Sequence, residues 1–123
     1  KTLTTGYSSG TRIDLSVPQN IYGDGIKGMV SVLRIYGSSK TGGSNKLTAC
    51  ITFNQGGDQV WLPAITVDIT DAPNGGGTWC AMIQYNFLGV ALQSQMPEKT
   101  ISVWAFVNAG TATTSDVHFL WSE

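Results

Sequence analysis

Charge is what this chain has least of. Asp, Glu, Lys and Arg together make up 12% of 123 residues, and the formal net charge is −1. That share is about half of what an ordinary soluble domain carries. The few cations are scattered (Lys1, Arg12, Lys27, Arg34, Lys40, Lys46 and Lys99). No basic stripe forms, so the phosphate-neutralising contribution that dominates nucleic-acid binding is missing, and direct binding of nucleic acid is not expected. Long apolar runs are absent too, and no membrane span is expected. Histidine occurs once, at His118, and cysteine twice, at Cys50 and Cys80. That inventory holds no zinc-type spacing, so neither a metal nor a cofactor is expected. No Asn-x-Ser/Thr sequon occurs, which argues against a secreted glycoprotein of the usual eukaryotic kind. The first residue is Lys1 rather than Met, as expected of a processed product or an excised domain.

Glycine, hydroxyl-bearing residues and aromatics are plentiful. There are 15 glycines, and 41% of the chain is apolar, which excludes a disordered composition. The length fits one domain with a core of its own, residues 1–123, in which residues 1–10 read as a lead-in arm.

Alternation with period two recurs along the chain. Ile13, Leu15 and Val17 share one face of "TRIDLSV", and Leu47, Ala49, Ile51 and Phe53 share one face of "KLTACITF". "MVSVLRIY" (29–36) is rich in β-branched residues, and "QVWLPAITVDIT" (59–70) reads as one or two short strands broken at Pro63. "TWCAMIQYNFLGVAL" (78–92) is the longest extended candidate, and "TISVWAFVNAGTATTSDVHFLW" (100–121) holds two strands around a polar turn. "NIYGDGIKG", "GSSKTGGSN" (37–45), "NQGGD", "DAPNGGG" and "QSQMPEK" punctuate them as turns and loops. No segment sustains the helical period. The pattern predicts an all-β fold, an antiparallel β-sandwich or jelly roll of about seven to nine strands.

Both faces of several strands are apolar. In 100–107, Ile101, Val103, Ala105 and Val107 point one way while Trp104 and Phe106 point the other. Trp79, Ile83, Tyr85 and Phe87 oppose Cys80, Met82, Leu88 and Val90, and Val117, Phe119 and Trp121 oppose Leu120. A two-sheet sandwich normally buries one face of each sheet. Exposing many large apolar chains forfeits roughly 1.5–3 kcal/mol apiece. Either the domain's own loops cover the second face, as ordinary cross-strand packing, or neighbouring subunits do. Trp104, Phe106 and Trp121 are the candidate interface residues.

Catalytic chemistry is not recognisable. His118 shares a strand face with Asp116 beside Ser115, but no strained nucleophile turn accompanies them. "GSSKTGGS" lacks the lysine placement of a phosphate loop, because Gly43 stands where the lysine belongs. Asp68 and Asp71 lie three apart near "PNGGG". Calcium takes about six to eight oxygens, so turn formation is the simpler role for this pair. No paired carboxylates suited to glycoside hydrolysis occur, and the chain is not expected to be an enzyme. Trp61 and Trp79, next to loops, are the aromatic candidates for stacking on a sugar, with Asp68 and Asp71 as hydrogen-bonding partners; a core role is the simpler reading for both tryptophans. Cys50 and Cys80 read as small apolar core residues with free thiols, a disulfide being the alternative if their Cα atoms come within about 7 Å.

The segment "MIQYNFLGVALQSQMPEKTISVWAFVNAGTATTSDVHFLW" (82–121) resembles the last strands of a picornavirus-like capsid jelly roll, echoed by Val103, Ala105, Asn108 and Ala109. The resemblance implies a jelly-roll capsid subunit or a capsid projection domain. It implies location in a virion, with copies of itself or other capsid subunits as partners and a host receptor or glycan as a further one. A carbohydrate-binding, lectin-like β-sandwich, extracellular in location, is the alternative that the residues themselves leave open.

Overall fold

The structure, a computed structural model, describes residues 1–7, 11–16, 30–55, 58–86 and 100–122. Among them are strands β1 (Thr2–Leu3), β2 (Arg12–Ser16), β3 (Val30–Lys40), β4 (Lys46–Gln55), β5 (Asp58–Trp61), β6 (Ile65–Asp68), β7 (Thr70–Asp71), β8 (Trp79–Asn86), β9 (Thr100–Val107) and β10 (Ala112–Ser122). They form two antiparallel sheets. The first runs β1-β10-β3-β8-β7; the second runs β2-β9-β4-β5, with β6 also paired to β4. The fold is an all-β sandwich, as the period-two pattern predicts.

The pairings nest. β1 pairs β10, β2 pairs β9, β3 pairs β8, and β4 pairs β5. The chain is thus a long antiparallel ribbon folded back at β4–β5. The ribbon is rolled so that β10 also meets β3 and β9 also meets β4. That winding is the jelly-roll arrangement.

The core lies between the sheets. Leu33 and Ile35 of β3, Ala81, Ile83 and Tyr85 of β8, and Leu3 and Ala112 face Leu47, Ala49 and Ile51 of β4 and Val103, Ala105 and Val107 of β9. Every second residue is buried, which is the pleat of a strand with one face on the core. Large rings are matched by small residues. Tyr85 reaches between the sheets to donate to the Ala49 carbonyl at 3.0 Å. Trp79 donates from Nε1 to the Ser39 carbonyl at 2.9 Å. Its ring occupies the space where a Cβ on Gly37 would lie, at 1.8 Å from the nearest ring atom.

That contact corrects one expectation. The stretch 37–45 reads in sequence as a loop, yet β3 continues through Lys40. Gly37 is there to admit an indole, not to make a turn. The turn that remains is clamped to the β9–β10 turn. Asn108 Oδ1 accepts from the backbone N–H groups of Asn45 and Lys46, both at 3.0 Å, and Thr41 Oγ1 accepts from the Thr111 N–H at 2.8 Å. Ser44, fully buried, donates to the Ala109 carbonyl. Gly43 and Gly110 turn the chain with positive φ, 91° and 59°.

The lead-in arm is likewise more than an arm in its described part. β1 pairs with β10, the Thr4 carbonyl then accepts from Val107 N–H of β9 at 2.9 Å, and Tyr7 reaches the outer side of the second sheet. Residues 1–7 strap the two sheets together along one side. The expected strand over 87–92, the turn at 20–28 and the loop at 93–99 lie outside the described residues.

Candidate functional site on the outer face of the second sheet

Residues alternating with the core of the second sheet point away from it. On β9 these are Ser102, Trp104 and Phe106; on β4 they are Thr48, Cys50 and Thr52; on β2 they are Arg12 and Asp14. Two rows cross the strands. Arg12, Trp104 and Cys50 are register partners in one, and Asp14, Ser102, Thr52 and Trp61 in the other.

Aromatic rings dominate this face. Trp61 and Trp104 have centroids 5.9 Å apart and planes tilted by 32°. The Arg12 guanidinium lies 5.8 Å over the Trp104 ring, within cation–π range. Trp104 Nε1 donates to Thr52 Oγ1 at 3.1 Å, which gives that buried hydroxyl a partner. Tyr7 meets Phe106 edge to face, with centroids 4.7 Å apart. Together these rings bury Cys50 and Thr52 on what is formally the outer side of the sheet. Trp61 is the ring left open, 56% exposed, with Tyr7 at 45%.

The polar groups are tightly committed. Arg12 Nε contacts Asp14 Oδ1 at 2.8 Å, and Ser102 Oγ donates to the same oxygen at 2.7 Å. Those two hydrogen bonds, Arg12 first, hold the Asp14 carboxyl below its usual range. Burial, with the Cys50 side chain as neighbour and hydrogen-bond partner, pushes the Tyr7 phenol up to about 12, and burial raises the Cys50 thiol as well. Lys46 closes the far end of the face by pairing with Asp68 at 2.7 Å.

The residues singled out from sequence are therefore dispersed. Trp104 and Phe106 sit side by side on this face, half-buried, covered by Arg12 and Tyr7 of the same chain. Trp121 holds the register position opposite Ser31 in the first sheet, and its side chain lies outside the described residues. Trp61 joins the Trp104 cluster. Trp79 does not: it is 3% exposed and belongs to the core, so it presents no ring face for stacking. Asp68 is on β6 and Asp71 on β7, in different sheets, each paired to a lysine (Asp71 with Lys40 at 3.1 Å). They form no joint site. Among the described residues no cluster of three His, Cys, Asp or Glu side chains suited to a metal occurs. Cys50 and Cys80 are both free; they lie on the outer sides of opposite sheets, which rules out a bridge between them. His118 Nε2 contacts Asp116 Oδ2 at 2.7 Å on the exposed face of the first sheet, with Tyr36 packed edge to face against its ring.

Arg12, Asp14 and Tyr7 escape the sequence reading. Arg12 and Asp14 flank Ile13, so the alternation already places them opposite the core. Nothing in the sequence signals that Tyr7 returns to this face.

No protein-family model matches the chain, and no curated protein matches its sequence.

Proposed function

We propose that the chain is an assembly subunit, a viral capsid jelly roll or capsid projection domain that packs against copies of itself or other subunits in a virion. The observation that carries this reading is on the outer face of the first sheet. Met82 on β8 is 57% exposed there, beside its register partner Arg34, whose buried Nε has no hydrogen-bond partner among the described residues. A buried unpaired donor costs about 1–3 kcal/mol. A neighbouring subunit packed on this face would cover the methionine. The resemblance of residues 82–121 to capsid strands supports the same reading, because that segment supplies most of β8, all of β9 and all of β10 but Ser122.

Light scattering and electron microscopy of the purified chain over a wide concentration range test it. Particles or concentration-dependent oligomers are expected, and Met82→Asp should abolish them. A strictly monomeric species at every concentration overturns the reading.

A carbohydrate-binding β-sandwich is the second reading. The exposed Trp61 ring beside Trp104 favours it.

A further inference from the structure

The outer face of the second sheet combines three properties in one place. It offers an open indole, Trp61, backed by a second indole and therefore held in position. It offers hydrogen-bonding groups in line with that ring: Ser102 and Asp14 occupy the same cross-strand row, with Arg12 in the row beside it. And its charges cancel locally, because Arg12 is paired with Asp14 and Lys46 with Asp68.

Each property narrows the ligand. An aromatic ring carries a negative face, which attracts the polarised C–H groups of a pyranose as well as cations. Nucleotides and other phosphates need uncommitted cations, and both described cations of this face are already paired. A purely apolar partner would leave the Arg12–Asp14–Ser102 cluster without water or a replacement, which is costly. A neutral sugar meets all three conditions: its C–H face stacks, and its hydroxyls exchange hydrogen bonds with a carboxylate, a guanidinium and a serine hydroxyl, the charged groups giving the stronger bonds. From Trp61 to Asp14 the row spans three strand spacings, about 14 Å. That is longer than one pyranose.

We infer that this face binds a neutral oligosaccharide lying across the strands, with one pyranose stacked on Trp61 and a neighbouring unit hydrogen-bonded to Ser102, Asp14 and Arg12. The inference rests on the second reading above, is compatible with assembly through the opposite face, and assigns the carbohydrate contact to residues other than the Trp79, Asp68 and Asp71 suggested by sequence alone.

A glycan array carrying neutral, sialylated and sulfated oligosaccharides, followed by tryptophan-fluorescence titration with lactose, cellobiose and mannobiose, tests it. Trp61→Ala, Trp61→Phe and Asp14→Asn are compared with Met82→Ala on the opposite face. The expected result is binding of neutral glycans, weakened about tenfold or more by Trp61→Ala, weakened by Asp14→Asn, largely kept by Trp61→Phe and unchanged by Met82→Ala. If the wild-type chain binds a neutral glycan that Trp61→Ala and Asp14→Asn leave unaffected, this site is wrong while the carbohydrate reading stands. If no glycan is bound, both fall. Binding confined to sialylated or sulfated glycans overturns the neutral assignment. Circular dichroism of the Trp61 variants separates lost binding from lost fold.

Discussion

The two sheets turn nearly identical inner faces toward each other and very different outer faces toward solvent. Inside, both show buried aliphatics at every second position. Outside, the first sheet presents Met82, Gln84, Asp116 and His118, with Arg34 Nε unpaired among the described residues. The second sheet presents an aromatic layer that the chain itself caps with Tyr7 and Arg12. Among the described residues one outer side has no such cover; the other is partly covered by the protein itself. Two strands that read alike in sequence, apolar on both faces, thus meet different fates, and position in the ribbon decides which. β9 lies beside β2 and near the returning strap, whereas β8 lies beside the two-residue β7 at the rim of the first sheet.

The shared interior should dominate stability. Trp79→Ala removes a buried ring and its hydrogen bond to Ser39 and is expected to cost about 3–5 kcal/mol in denaturant unfolding. A loss under 1 kcal/mol would mean that Trp79 is not the core anchor of β8. Next comes Gly37→Ala, whose added methyl collides with that ring, at about 1–3 kcal/mol. Combining it with Trp79→Phe should recover part of the loss, which a backbone-only role for Gly37 would not allow.

The contrast between the outer faces can be read through its two thiols. Cys50 is buried under the aromatic layer and Cys80 is half-buried on the other side. Cys80 should react with a thiol reagent in the native wild-type protein, while Cys50 should react only after Tyr7→Ala uncovers it. Losing the Tyr7–Phe106 pair should also cost about 0.5–1.5 kcal/mol. Equal reactivity of both thiols in the wild type would erase the distinction drawn between the faces.

The strap should also loosen in alkali. A free tyrosine loses its proton near pH 10, whereas folded Tyr7 keeps it until about 12. The folded-state value is raised, so this contribution is complete below pH 10 and disappears as the pH climbs to about 12. Ultraviolet titration of the phenol in the wild type against Tyr7→Phe measures it. The smallest effect belongs to Arg12→Ala. The pair it forms with Asp14 is half-exposed, and such pairs contribute about 0–1 kcal/mol. Because the folded Asp14 carboxyl is depressed, whatever this pair adds is present above the ordinary carboxylate range and lost as pH falls through the folded value. A larger cost would point to the guanidinium's contact with Trp104.

Much of this was legible from residues alone. Alternation with period two set the strand class, Pro63 separated β5 from β6, and the inward sets Leu47–Ala49–Ile51 and Val103–Ala105–Val107 follow from that alternation. The same alternation put Trp104 and Phe106 on a second face. It failed at Gly37, where a glycine that looks like a turn signal instead leaves room for an indole from β8. Nearness to a glycine-rich turn made Trp79 a stacking candidate, but its ring lies in the core, the other role the sequence left open; Asp68 and Asp71 are exposed but stand in different sheets.

The sequence by itself determined the elements, since side-chain period and turn chemistry act between residues close in the chain. Only the tertiary structure decided which rings are buried, which thiols are covered and which charges meet. Those outcomes depend on residues brought together from distant parts of the chain, as when Tyr7 lands on Phe106 and Trp61 on Trp104. No local preference encodes such contacts; they follow from how the ribbon is rolled.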